Sequence, residues 1–286
     1  MDATSGDETA VDPDAAVQPA PIETNPATSY DEYLGPAIFA PLSVFVLETA
    51  APQAGERVLD LACGSGVVTV QLPPLVGETG KVVGVDVSAP MLAIASAKDK
   101  PAGCGIEFRE CNGCALVDLD NGAFDLVICQ QGLQFFPERE SGASEMRRVL
   151  AGTGRAVVAC WKPLEEQGVF QQVVETQARV LNVPLEKAAM PFSFGSGAAL
   201  KTMLEDAGFE TVEIVEHELL VTFDDPSEFV RRTTASAAAV MPHFADIDVQ
   251  DAASSIERVL APVLAHYSKD GKLVTTMKTN IAIAKR

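Results

Sequence analysis

Short stretches of strand character occur at 57–61, 82–86, 105–110, 124–129 and 154–161, and segments whose apolar positions recur at helical spacing fall between them at 66–74, 89–98 and 140–150. Strand and helix therefore alternate. Such alternation closes by right-handed crossovers into a parallel, doubly wound sheet that binds ligands at the carboxyl ends of its strands. Ahead of the first strand, residues 38–50 form an apolar helix suited to packing on that sheet, ended by Pro52 and Gly55. Beyond Trp161 the alternation loosens: helices are expected at 165–182 and 196–207, a strand at 211–223, helices at 226–240 and 250–266, and a final strand at 272–284. The helices at 165–182 and 226–266 are placed to roof the ligand, with MPFSFGSG and MPHFADID as flexible links.

Residues 1–28 break this pattern. They carry six acids, no base and four prolines with scarcely any large apolar group, so burial cannot offset the entropy of ordering them. A disordered acidic tail is expected there, followed by one domain over 29–286. In that domain 29–162 is the ligand half, and 163–286 supplies lid elements and the final strands. The 47% hydrophobic content of 286 residues suffices for a sizeable core.

A net charge of -19 opposes any approach to nucleic acid phosphate or an anionic membrane, so neither is expected as a partner. Neither a signal core nor a run of about eighteen uncharged apolar residues is visible, and a cytoplasmic location is expected. The six cysteines form no regular framework and are expected as thiols. Cys111 and Cys114 make a C-x-x-C, but no second pair or histidine follows at ligand spacing, so no metal is expected.

The most informative stretch is VLDLACGSGVVT, Val58 to Thr69: a strand ending in an acid, a glycine turn, and a helix start. Gly64 and Gly66 bare the backbone where a ligand must come close. Asp86, ending the next strand VVGVD, can accept from both hydroxyls of a ribose. A dinucleotide fold shares these features. Here, however, the spacing lacks a third glycine, and Asp60 stands where a pyrophosphate would lie. That acid repels phosphate and attracts a sulfonium or ammonium, so charge favours a cationic sulfur nucleoside.

With VVGVDVSAPMLAIASAK, ECNGCALVDLDNGAFDLVICQQGLQFF and EMRRVLAGTGRAVVACW, this stretch resembles the class I S-adenosylmethionine-dependent methyltransferases, particularly the ubiquinone and menaquinone C-methyltransferase branch, over about 30–155. The resemblance implies an α/β, Rossmann-like, doubly wound seven-stranded sheet with the last strand, LVTTMKTNIAIAKR, antiparallel, plus helical lid elements. It implies S-adenosylmethionine as cofactor, S-adenosylhomocysteine as product, and methyl transfer to a small-molecule acceptor. By position, Asp60, Cys63, Gly64 and Gly66 would line the methionine portion, and Thr69 would start the helix beneath it. Asp86 would hold the ribose.

Met91 would sit against adenine, with ordinary helix packing as the competing reading. Asn112 and Gly113 would meet the adenine edge, the amide oxygen of Asn112 accepting from the amino group. Gln130 and Gln131 would lie beside the methyl group or satisfy backbone at the strand end. Gln134, Phe135 and Phe136 would border the acceptor or the core, and Tyr30 and Tyr33 would cap the cofactor or anchor the first helix.

A sulfonium methyl is already activated, so alignment and desolvation are the main requirements, and no catalytic base is assigned. Among His217, His243 and His266, only His243, in the MPHFADID link, is a candidate. Phe170, Phe192, Phe194, Phe229, Met241 and Phe244 suggest a hydrophobic or aromatic acceptor, or merely roof packing. A non-catalytic S-adenosylmethionine-binding protein and a nicotinamide-dependent oxidoreductase are the rival classes.

Overall fold

The computed structural model describes residues 25–241, 244 and 248–286. The acidic stretch 1–24 and His243 lie outside the described residues. Its sheet runs β3 (Ile106–Glu110), β2 (Lys81–Asp86), β1 (Arg57–Leu61), β4 (Phe124–Gln130), β5 (Leu150–Trp161), β8 (Lys272–Lys285) and β6 (Thr211–Phe223). The first five strands pair in parallel, while β8 lies antiparallel between β5 and β6. This is the expected Rossmann-like doubly wound sheet, with the two-residue β7 (Ser268–Lys269) added against β8. The chain steps outward from β1 through β2 to β3, then returns to β4 on the other side, so the strand order reverses between β1 and β4. That switch point opens a crevice at the strand ends.

Alternate residues of each strand feed two cores. Val58, Val82, Leu126 and Ile128 pack with Leu42 and Val46 on one face, while Leu59, Val83, Val127 and Cys129 pack with Leu133 and Met146 on the other.

Three local expectations are corrected. The first helix extends from Pro26 to Ala50, not from residue 38, and so takes in the end of the expected tail. Asn25 caps it, its Oδ1 accepting from the amide of Ala27 at 3.0 Å. Gly35 and Pro36, both poor helix formers, lie within it. There Tyr30–Phe39 widens into a π-helix, with the amide of Ala40 bonding the carbonyl of Gly35. By length and hydropathy this helix could cross a membrane, but its Ile38, Leu42, Val46 and Ala50 are buried in the core.

The predicted helix at 66–74 is mostly turn, with a short 3₁₀ segment Thr69–Gln71 and one helical turn Pro73–Val76. Pro73 and Pro74 offer no amide to bond the carbonyls of Thr69 and Val70, so a longer helix cannot propagate through them. Finally, MPFSFGSG is not a loose link. A Cβ on Gly195 would lie 2.4 Å from the nitrogen of Pro163, Asn280 donates to the Gly195 carbonyl at 2.8 Å, and Phe192 is buried.

Candidate active site

The crevice at the switch point is a cavity of about 370 Å³. β1 supplies its floor. Asp60, only 1% exposed, accepts from the Thr69 hydroxyl at 2.5 Å. Burial, aided by the charge of Asp86, pushes its carboxyl up to about 7 against the opposing pull of the Thr69 hydrogen bond. The strand then turns through three left-handed residues, Ala62 (φ 56), Gly64 (φ 54) and Gly66 (φ 80).

The two glycines are needed for different reasons. A Cβ on Gly66 would lie 2.9 Å from Cβ of Ala95 in the helix Ala89–Ala97, so this position lets the turn and helix approach. A Cβ on Gly64 would meet nothing within 4 Å, which leaves bare backbone beside the cavity it lines. Its amide donates to Asp86 Oδ2 at 2.8 Å, and the Ser88 amide donates to Oδ1 at 2.8 Å. Backbone donors thus fix both carboxylate oxygens at the cavity wall. Burial still raises the Asp86 carboxyl above its ordinary value, outweighing those amides.

Met91 is 3% exposed and lines the same cavity from the first turn of its helix. Asn112 and Gly113 follow β3, but the Asn112 Oδ1 already accepts from the amide of Cys114 at 2.9 Å. The oxygen expected to receive an adenine amino group is therefore partly committed to its own turn. Gly113 is required by a ring: a Cβ there would lie 2.3 Å from Phe136 Cζ.

β4 ends in Gln130, and Gln131 follows it. The Gln130 amide donates to the Phe39 carbonyl at 3.2 Å, leaving its buried Oε1 without a partner. Gln131 adopts φ 56 and sits in a buried relay. It accepts from Gln134 at 3.0 Å and donates to the Thr279 hydroxyl at 3.0 Å, which donates to the Cys160 carbonyl at 2.9 Å.

Of the positions picked from sequence, Asp60, Cys63, Gly64, Asp86, Met91, Asn112, Gly113, Gln130 and Gln131 line one cavity. Gly66 and Thr69 stand behind it, one packing the turn and the other holding Asp60. Tyr30 and Phe39 stack at 4.9 Å and both line the cavity, where burial and Asp86 keep the Tyr30 phenol protonated. Tyr33 instead stacks on Phe223 at 5.0 Å, under the Arg232 guanidinium, and so anchors the helix. Gln134 reaches the site only through Gln131.

His217 stacks on Phe45 at 3.7 Å, and a ring nitrogen of His266 meets the Pro262 carbonyl, so neither belongs to the site. The sequence reading missed Ala62, Ser65, Phe39, Ala239 and Val240. Ala62 gives no glycine signal for its left-handed turn, and the last three reach the cavity only through tertiary packing.

A cationic nucleoside with a polar edge fits this surface. Two carboxyls converge on it, Gly64 bares backbone, and the buried Ser65 Oγ and Gln130 Oε1 lack partners within the protein.

A methyltransferase domain family matches residues 58–154. The ubiquinone/menaquinone biosynthesis C-methyltransferase UbiE of Escherichia fergusonii is 32% identical over 199 residues, spanning 59% of this chain and 72% of that protein. The demethylmenaquinone methyltransferase of Thermus thermophilus is 33% identical over 189 residues, or 61% of this chain and 81% of the relative. Among solved structures, the YcgJ protein of Bacillus subtilis superposes with a TM-score of 0.55 at 16% identity, covering 87% of this chain and 98% of its own. Phosphoethanolamine N-methyltransferase 2 of Haemonchus contortus, solved with S-adenosylhomocysteine, gives a TM-score of 0.57 at 18% identity, covering 91% and 56%.

Fold, cavity and relatives together make this chain a member of the class I S-adenosylmethionine-dependent methyltransferases. Within that class it resembles the ubiquinone and menaquinone C-methyltransferases, and its cofactor is S-adenosylmethionine.

Proposed function

We propose that the enzyme methylates a small, neutral, hydrophobic or aromatic molecule held beside the cofactor in a second chamber. The observation that carries this reading is the composition of that chamber, about 100 Å³ in volume. Its described lining includes Trp161, Phe170, Val173, Phe192 and Met277 and contains no Asp, Glu, His, Lys or Arg. An ammonium or phosphate placed there would be desolvated without a counter-charge, at a cost of several kcal/mol. Tyr30, Phe39, Gln131, Phe135 and Val240 line both spaces, so the two meet across one wall. The relatives named for quinone biosynthesis support a narrower form, carbon methylation of a quinol-type ring.

In this reading Asp86 binds the ribose hydroxyls, Asp60, Cys63 and Gly64 face the methionine portion, and Met91, Asn112 and Gly113 flank the adenine. Gln130 and Gln131 border the transferred methyl group. Bound S-adenosylmethionine supplies an activated methyl carbon. The protein's part is to align the acceptor, exclude water from between the two spaces, and leave the reacting atom unencumbered. The half over 29–162 binds the donor, and the elements over 163–286 select the acceptor.

A screen with isotopically labelled methyl donor tests this. Turnover is expected on hydrophobic phenols and quinols and not on phosphorylated or cationic amines. Methylation confined to charged amines would refute it.

A further inference from the structure

The apolar chamber holds one anomaly. Ser236, on the helix Pro226–Val240, is 0% exposed, and its Oγ has no hydrogen-bond partner although it lines the chamber wall. Its neighbours differ. Thr233 lines the same wall but donates to the carbonyl of Phe229 at 2.6 Å, and Gln177 donates to the Thr234 hydroxyl at 3.1 Å. Serine in a helix ordinarily bonds the carbonyl one turn back, as Thr233 does, and a buried hydroxyl without a partner is destabilising. Among the described residues of the chamber, Ser236 carries the one buried side-chain polar atom left unpartnered.

We infer that Ser236 is a specificity-determining residue for the methyl acceptor: its hydroxyl pairs with a neutral oxygen, a ring hydroxyl or carbonyl, on an otherwise apolar molecule. This rests on the chamber being the acceptor site. A buried hydroxyl that waits for a ligand oxygen discriminates strongly, because an analogue without that oxygen leaves the serine unpaired in the complex as well. The charge-free walls exclude an ionised acceptor, and Ser236 excludes a pure hydrocarbon.

The test uses the full chain saturated with S-adenosylhomocysteine and two probes of nearly equal shape, 2-naphthol and 2-methylnaphthalene, followed by equilibrium dialysis. Wild type is expected to bind the naphthol at least tenfold more tightly than the hydrocarbon. Ser236→Ala is expected to abolish that preference while leaving S-adenosylhomocysteine affinity unchanged and the melting temperature unchanged or raised. Ser236→Cys, a weaker donor of similar size, is expected to fall between them.

If the naphthol preference survives in Ser236→Ala, or wild type shows none, the role of Ser236 is overturned while the chamber keeps its assignment. If neither probe binds a chain that does bind S-adenosylhomocysteine, both the Ser236 inference and the aromatic-acceptor reading fall.

Discussion

The proposed place of Asp60 beside the methionine portion of the donor makes donor binding a proton-linked event. The Asp60 carboxyl, buried at the end of β1 and pushed up to about 7, is largely protonated at mildly acid pH in the free enzyme. A cationic donor favours the ionised form, so binding below pH 7 must expel a proton. With ionisation centred near 7, roughly one tenth of the free enzyme is competent at pH 6, so affinity there is about tenfold below its high-pH limit. Calorimetry with S-adenosylmethionine between pH 5.5 and 7.5, repeated in two buffers of different ionisation enthalpy, counts the protons released. The donor's own amine, ordinarily titrating at about 8, stays mostly protonated across this range. Near pH 6 the release is expected to approach one proton, and in Asp60→Asn it is expected to vanish along with the pH slope.

Stability provides the opposite sign as a control. The folded chain holds the proton that an unfolded Asp releases near 3.8, so the contribution of Asp60 is present below that value and is lost as pH rises towards about 7. Asp60→Asn should therefore gain stability relative to wild type above pH 7. Donor affinity that stays flat across the range in wild type would refute the buried-acid argument.

Asp86→Asn should weaken donor binding by roughly ten- to a hundredfold, the worth of charge-assisted bonds to a ribose, with little effect on turnover at saturating donor. Gly64→Ala and Gly66→Ala should separate, since both sit at positive φ but only Gly66 meets Ala95. The first should lose mainly donor affinity in a binding titration, and the second about 2 kcal/mol or more in urea denaturation. Arg155→Met should cost about 2 kcal/mol in the same assay, because Arg155 bonds the carbonyls of Ala50 and Ala51 at the end of the first helix and pairs with Glu56. Raising KCl from about 0.1 to 1 M shortens the screening length from about 10 to 3 Å and should raise the melting temperature of a chain with net charge -19. No gain would argue that the acidity serves solubility alone.

The lining of the cavity at the switch point was legible in the sequence because its residues are local. Asp60, Gly64 and Asp86 end strands or form the turn between them, and strand ends at a switch point have little choice of neighbour. Periodicity likewise gave the strand and helix order, and the family resemblance implied that the final strand runs antiparallel. It failed where backbone chemistry overruled composition, at the π-helical passage over Gly35 and Pro36 and at the prolines that stop the helix after Thr69.

The second chamber was different. Ser236, Phe170, Trp161 and Met277 are far apart in the chain and carry no motif, and only the packing of the roof helices on β5 and β8 gathers them into one chamber. Nor does a sequence reveal that Thr233 satisfies its hydroxyl on its own helix while Ser236 does not. A motif records contacts between near neighbours along the chain, whereas a chamber wall is made by side chains that meet only after every helix has docked. Cofactor identity was therefore written in the sequence, and the chemistry of the second chamber was decided by the fold.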